Sequence, residues 1–326
     1  MSRAARPRVA ADFSPVDGTE RDASKRWKIF NFMMEKLIRV VRRGLGLHHP
    51  GRNLEVFPDD VFILSFPKSG NTWTRFLIAN LVYPETPADF SNINRLTPDP
   101  EALSKREMAK MPRPRIIKSH QYFDPRYKRV IYVVRDPRDV ALSQFYFHRK
   151  RGLIDDQYAP EKFVTRFVAG ETSPYGSWGE NVAGWLATRQ NRLGFLLLRY
   201  EDMLADANLE LEKVAAFLQI PPDKARIANA VQRSSADEMR NLEKLQAHLW
   251  SSTQSTRQDV PFVRTAKAGG WKTGLPEAAV AQLEAAWGPL MSYLGYELHS
   301  DAAKSIAASS DSRLLEAVFS GHGMSR

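Results

Sequence analysis

A lysine, two hydroxyl side chains and a glycine follow the apolar run 61–66 and precede a helix with an amphipathic pattern. The first N–H groups of a helix have no partner within it, and the helix dipole attracts negative charge there. The pattern predicts a phosphate-binding loop. Its order is not that of the Walker A motif, because the lysine precedes the glycine; taken without its neighbours, K-S-G also fits a solvated turn. The residues concerned are Lys68, Ser69, Gly70, Asn71, Thr72 and Trp73.

A second polar cluster, Lys118-Ser119-His120, follows the short predicted strand 115–118. Histidine titrates near neutral pH, so it can take a proton from a hydroxyl group as that group attacks. The lysine can balance negative charge that develops nearby. A structural histidine is the alternative for His120 alone, but its position at a strand end favours a role in a site.

Arg135 and Ser143 form a third candidate pair, eight residues apart, after the buried run 130–134. Helix geometry brings Ser143 to the side of the helix that begins near Arg135. A guanidinium fork and a hydroxyl together suit a phosphate group. A salt bridge between Arg135 and Asp136 is the alternative.

The segment 264–272, RTAKAGGWK, is rich in glycine and positive charge. In isolation it fits any flexible basic loop. It contributes two cations, Arg264 and Lys267, and the flexible residue Gly269 as further candidates for anion binding.

Predicted strands at 61–66, 115–118, 130–134 and 195–198 alternate with helical patterns. This alternation predicts an α/β fold: a single domain with a central parallel sheet flanked by helices, entered through a P-loop-like strand, loop and helix. Ligands of such sheets bind at the carboxyl ends of the strands. The first three polar clusters follow strands, so we expect them to meet at one edge. Tyr200 follows the last of these strands.

The chain divides by composition into four segments. Residues 1–24 are predicted to be a flexible tail, 25–52 a basic amphipathic helix and linker, 53–299 the main domain, and 300–326 a polar C-terminal tail. The apolar stripe of residues 25–43 is predicted to dock on the core; the alternative is peripheral contact with an anionic membrane.

Charge and cysteine content exclude several classes of protein. The net charge is +10, but residues 1–52 hold twelve Lys or Arg against five Asp or Glu, which leaves +3 for the rest. With no recognisable nucleic-acid motif, we expect no nucleic acid as partner. There is no cysteine, hence no disulfide or thiolate metal site. No apolar run is long enough to span a bilayer and no signal-like start is present, which predicts a cytoplasmic protein.

The string 67–73, PKSGNTW, resembles the 5′-phosphosulfate loop of sulfotransferases that use 3′-phosphoadenosine 5′-phosphosulfate (PAPS). Residues 130–149 resemble the 3′-phosphate motif of that family, 118–120 its Lys-[Thr/Ser]-His motif, and 264–272 its R-K-G-x-x-G-x-W-K segment. The four motifs occur in order and the resemblance covers about 56–296. Thr265 and Ala266 stand where Lys and Gly are usual, and Asn71 stands where Thr is commoner. The dimerisation pattern of cytosolic relatives is absent after Trp271, so the oligomeric state is left open.

The resemblance implies the roles of the candidate residues. His120 would be the general base, with Lys68 and Lys118 balancing charge on the leaving phosphate and the transferred sulfuryl group. Trp73 would stack on adenine, and Lys267 would replace the cation missing at Thr265. Residues 68–73, Tyr200 and Gly269 would also bind the nucleotide, and the 3′-phosphate would be held by Arg135, Ser143 and Arg264.

The predicted function is therefore transfer of a sulfuryl group from PAPS, without a metal, to a hydroxyl or amine of a small alcohol, phenol or amine. Aromatic residues near the predicted site favour an apolar or aromatic acceptor, although they could equally belong to the core. The alternatives are a P-loop-type nucleotide kinase and a non-catalytic nucleotide-binding protein recruited to membranes by the basic helix. The aromatic residues are Tyr122, Phe123, Tyr146, Phe147 and Trp178.

Overall fold

A computed structural model describes residues 54–250 and 252–301 of the chain. The predicted N-terminal tail 1–24, the basic helix with its linker 25–52, and the C-terminal tail beyond 301 lie outside these residues. The membrane interpretation of 25–43 therefore also concerns residues outside the described part.

Four strands form one sheet in the order β2-β1-β3-β4, and every neighbouring pair is parallel. This confirms the predicted α/β fold with a central parallel sheet. Ser65, the last residue of β1, pairs with Val133 of β3, so the carboxyl ends of the strands lie along one edge. The strands are β1 (Val61–Ser65), β2 (Ile116–Ser119), β3 (Arg129–Val134) and β4 (Phe195–Arg199).

Twelve helices connect and cover the strands within the described residues. Their starts follow ordinary capping chemistry where a cap is present: Asp136 accepts from the N–H of Arg138, and Ser177 forms a capping box with Glu180. The helices are α1 (Asn71–Val82), α2 (Ile93–Leu96), α3 (Lys105–Ala109), α4 (Pro137–Lys150), α5 (Pro160–Val168), α6 (Trp178–Arg189), α7 (Tyr200–Ala205), α8 (Ala207–Leu218), α9 (Lys224–Arg233), α10 (Ala236–Gln246), α11 (Trp271–Gly274) and α12 (Glu277–Tyr293).

Both faces of the sheet are buried, which explains why β1 is apolar at nearly every position. Phe62 and Leu64 point into one core, which they share with α4, α5, α6 and α12. Val61 and Ile63 point to the other face, where α1, α8 and α9 pack. Successive side chains of a strand alternate between faces, so a strand covered on both sides has no polar face.

The connection 84–114 between α1 and β2 holds two short helices, α2 and α3. The buried Arg75 of α1 ties it down through the Oγ1 and carbonyl oxygens of Thr97, at 3.1 and 2.5 Å. Among the described residues, no helix has the length and apolar character needed to cross a membrane.

Candidate active site

The predicted phosphate loop connects β1 to α1 with the geometry of an anion site. Gly70 caps α1 at φ 100°, a left-handed conformation that favours glycine. A Cβ at Gly70 would also lie 2.5 Å from the ring of Tyr200. The first turn of α1 carries no acidic residue, and no side chain caps it. Its free N–H groups therefore remain available to a negatively charged ligand.

Two buried donors at this site lack a partner within the described part of the chain. The hydroxyl oxygen of Ser69, in the loop, and Nε of Arg135, at the end of β3, make no hydrogen bond. Both residues are less than a tenth exposed. Buried polar groups of a folded protein are normally satisfied, so these unpartnered donors are suited to binding a phosphate group.

Asn71 turns its side chain toward the sheet. Its Nδ2 donates to the carbonyl of Ile63 at 3.2 Å and to Oγ of Ser65 at 3.3 Å. Its side-chain N–H groups thus fasten α1 to β1, whereas its backbone N–H lies at the open start of the helix. Thr72, the next residue, is half-buried in the first turn of α1.

Lys68 lies between two aromatic rings that the sequence did not single out for this role. Its Nζ is 4.4 Å from the ring centre of Phe147 and 4.2 Å from that of Phe262. Burial, with smaller contributions from Arg135 and Arg264, lowers the pKa of Lys68 to about 7. The aromatic faces attract the ammonium group, while the neighbouring cations disfavour its charge.

Arg135 joins three of the predicted segments. Its guanidinium donates to the carbonyl of Lys68 at 3.4 Å and to the carbonyl of Lys267 at 3.1 Å. The same group lies 4.2 Å from the ring centre of Tyr200, which follows β4. Lys267 thus contacts Arg135 through its backbone, and its side chain is exposed.

The glycine-rich segment 264–272 is fastened to α4 by one carboxylate. Asp139 accepts from the N–H of Gly269 at 2.7 Å and from the N–H of Trp271 at 3.0 Å. Asp139 is almost fully buried, and its pKa is raised mainly because of this burial. The ring of Trp271 lies under the guanidinium of Arg138, 3.8 Å away. These contacts hold the segment beside Arg135.

Arg264 and Ser143 lie at the edge of this group. The guanidinium of Arg264 is 4.3 Å from the ring centre of Tyr146, on α4. The pKa of Arg264 is lowered, mainly by burial and to a smaller extent by the charge of Arg135. Ser143 lies on the same helix and is half-buried.

Trp73 lies at the far side of the loop. Its indole N–H donates to the carbonyl of Ser234 at 2.8 Å, and its ring meets that of Tyr200 edge to face, 5.7 Å between centres. Asn80 of α1 bonds the hydroxyl of Ser234 at 3.0 Å. These contacts hold the rings of Trp73 and Tyr200 next to the loop at Ser234.

His120 follows β2 and reaches across to the end of β1. Its Nδ1 lies 2.7 Å from the carbonyl oxygen of Ser65. A carbonyl only accepts, so Nδ1 carries the proton and Nε2 keeps its lone pair. Burial, and next the charge of Lys118, lower the pKa of His120 to about 3. A neutral imidazole whose Nε2 keeps its lone pair can act as a proton acceptor.

Lys118 is held by two acidic residues from the connection 84–114, neither of which sequence reasoning identified. Its Nζ is 3.0 Å from Asp99 and 3.9 Å from Glu101. The hydroxyl of Tyr175 contacts Glu101, and the ring of Tyr175 is 5.6 Å from that of His120. No motif marks these acids, and only the tertiary structure brings them to β2.

Three of the five candidate aromatic residues for the acceptor differ in burial. Trp178 is fully buried against Trp287, 5.3 Å between ring centres, and Phe123 packs on Trp185, so both belong to the core. Tyr122 is 46% exposed.

No cluster of three or more histidine, aspartate or glutamate side chains that could hold a metal occurs among residues 54–250 and 252–301.

Comparison with known proteins agrees with this geometry. The family model of the sulfotransferase domain matches residues 58–295. Mouse sulfotransferase 2B1 is 30% identical over 243 residues, covering 70% of this chain and 69% of that protein. Mouse sulfotransferase 1E1 is 29% identical over 237 residues, covering 68% and 79%.

Solved structures with the same fold are more distant in sequence. Retinol dehydratase, in a complex with retinol and PAP, aligns with a TM-score of 0.61 at 22% identity and covers 76% of this chain and 85% of that one. Mouse sulfotransferase SULT7A1, complexed with PAP, aligns with a TM-score of 0.57 at 22% identity and covers 78% and 90%.

The loop 67–73, His120 and Arg135 lie at the carboxyl ends of the strands, where α/β sheets bind their ligands. The chain belongs to the sulfotransferase domain family, and it is a PAPS-dependent sulfotransferase. The recognition made from its motifs is thereby confirmed. The family match therefore favours a sulfotransferase over the two alternatives, a kinase and a non-catalytic binding protein.

Proposed function

We propose that this sulfotransferase acts on a hydroxyl or amine group of a small molecule, with His120 as general base. The observation that carries the proposal is the bond from Nδ1 of His120 to the carbonyl of Ser65. It leaves Nε2 as the proton acceptor, and the depressed pKa keeps the ring neutral before reaction. The bond also joins the base to β1, which leads directly into the phosphate loop.

The donor nucleotide supplies the sulfuryl group, and residues of this chain bind and orient it. Ser69, with the open N–H groups at the start of α1, would hold the 5′-phosphate side, and Arg135 would hold the 3′-phosphate through its free Nε. Ser143 and Arg264 would contribute at the same phosphate. The rings of Trp73 and Tyr200 would contact adenine.

The two lysines would balance charge on either side of the transferred group. Lys68 lies in the phosphate loop, and Lys118 lies two residues before His120. Such a site works by positioning and by electrostatic stabilisation, as phosphoryl-transfer sites do.

The proposed acceptor is a small alcohol, phenol or amine. Retinol dehydratase has been solved with retinol and with androsterone, both small apolar molecules. In this chain, Tyr175 lies beside His120, which supports an acceptor with an apolar or aromatic body.

A calorimetric titration with PAP, run beside ADP without metal, tests the donor site. We expect binding to PAP of about −8 kcal/mol or better, which is micromolar affinity, and little binding to ADP. Equal affinity for both nucleotides would contradict the assignment of Arg135, Ser143 and Arg264 to a 3′-phosphate. A screen of phenols, alcohols and amines with PAPS then tests the acceptor class, and a lack of transfer to all three would contradict it.

A further inference from the structure

Lys118 depends on a neighbour from a different part of the chain. A lysine side chain is a long flexible stem, and fixing its ammonium in one place costs conformational entropy. The end of β2 fixes only its backbone. Its Nζ is fixed by the carboxylate of Asp99 at 3.0 Å, and both side chains are less than a sixth exposed.

The loop that carries Asp99 is itself anchored at two points. The N–H of Lys118 donates to the carbonyl of Pro98 at 2.9 Å, which joins the loop to β2. Arg75, which is 2% exposed, donates to the carbonyl of Thr97 at 2.5 Å and to Oδ1 of Asn94 at 2.8 Å, which joins the loop to α1. The carboxylate therefore occupies a defined place between the two elements.

This anchoring connects the two substrates' sides of the site. Arg75 lies one helical turn after Asn71, on the helix whose start forms the phosphate loop. Asp99, two residues after Thr97, pairs with Lys118, which lies two residues before His120. The loop 94–99 therefore links the phosphate-loop helix, through Arg75, to the end of β2 that carries Lys118.

We propose that Asp99 is a positioning residue for sulfuryl transfer, which acts by holding the ammonium of Lys118 beside His120. The inference rests on the proposed role of Lys118 in the transfer step. A preplaced charge needs no reorganisation when the transferred group arrives, which is how fixed charges lower reaction barriers. Loss of Asp99 leaves Lys118 free to adopt other rotamers.

Asp99 also bears on the charge of His120. The ammonium of Lys118 lowers the pKa of His120, whereas the carboxylate of Asp99 raises it. When His120 takes a proton it becomes a cation next to Lys118, and Asp99 offsets the repulsion. The placement of Asp99 therefore favours the protonated state that forms during transfer.

A double-mutant cycle of Asp99→Ala and Lys118→Ala tests the proposal, with the phenol that reacts fastest in the screen as acceptor. We expect kcat to fall about tenfold in D99A and about a hundredfold in K118A, with affinity for PAP unchanged in D99A. The double variant should be as slow as K118A alone. Asp99→Glu should recover part of the rate. Asp59→Ala, at an exposed ion pair with Arg113, is the matched control and should leave kcat unchanged.

Separate outcomes would overturn the proposal. A kcat within twofold of wild type in D99A, or losses that multiply in the double variant, would show that Asp99 does not act through Lys118. Acetylation of Lys118 by acetic anhydride, followed by mass spectrometry, needs no turnover. We expect Lys118 to react faster in D99A than in wild type. Unchanged labelling contradicts this inference alone, whereas a wild-type protein inactive with every acceptor contradicts the proposed acceptor class.

Discussion

The donor half and the acceptor half of the site are built in different ways. The donor half consists of the loop 67–73, Arg135, Tyr200 and the segment 264–272, and backbone groups make many of its contacts. The acceptor half consists of His120, Lys118 and their acidic neighbours, and side chains make most of its contacts. A helix start offers its backbone N–H groups to a phosphate group, but a base and its charge partners must be placed one by one.

The largest expected effect is at His120, where a substitution should reduce kcat but not affinity for the donor nucleotide. We expect His120→Ala to reduce kcat by a factor of about 10²–10⁴, because it removes the proton acceptor. Affinity for PAP should stay within a few-fold, since the imidazole bonds to Ser65 and not to the phosphate loop's N–H groups. Initial rates with PAPS and calorimetry with PAP measure the two effects.

The exposed His248 offers a matched control for this substitution. His248→Ala should leave both kcat and affinity for PAP at wild-type values. Survival of His120→Ala with a kcat within a few-fold of wild type would refute the base assignment and with it the distinction between the halves.

At Arg135 we expect a smaller effect, and one on nucleotide affinity, not on kcat. Arg135→Ala should weaken PAP binding by a factor of about 10–100, which corresponds to the loss of hydrogen bonds to a charged group. Affinity for ADP should change much less, because ADP lacks the 3′-phosphate. Parallel titrations of the variant with PAP and ADP measure the difference.

Arg129, at the opposite end of β3, is the control for Arg135. Its guanidinium donates to the carbonyl of Phe217 at 2.8 Å, away from the carboxyl ends of the strands. Arg129→Ala removes a similar charge and should leave the preference for PAP intact. Equal losses of PAP and ADP affinity in the Arg135 variant would show that Arg135 does not select the 3′-phosphate.

The donor half was largely predictable from sequence because its parts are contiguous. An apolar run, a glycine and a helix pattern in succession define β1, the loop and α1, and the parallel topology places Arg135 and Tyr200 at the same edge. The four strands were all predicted.

The acceptor half was predictable only at His120 and Lys118, which share a motif. Asp99 lies nineteen residues before Lys118, in a connection whose path depends on the buried Arg75. The same limit applies to Phe262, whose ring meets Lys68 only after the segment before 264 has folded back on the site. Contacts between distant side chains depend on packing, which local patterns do not encode.

The smallest effect concerns the proton on Lys68. Burial lowers its pKa to about 7, against 10.5 for a free lysine, so at pH 8 the side chain is mostly neutral in the free enzyme. The phosphates of PAP favour the charged form, and binding at pH 8 should therefore take up close to one proton. Affinity should fall as the pH rises from 7 to 9. Calorimetry in two buffers of different ionisation enthalpy measures the uptake. The proton uptake should disappear in Lys68→Met. It should persist in the control variant Lys213→Met, because Lys213 is an exposed lysine that pairs with Glu210. Uptake that persists without Lys68 would place the titrating group elsewhere in the donor half.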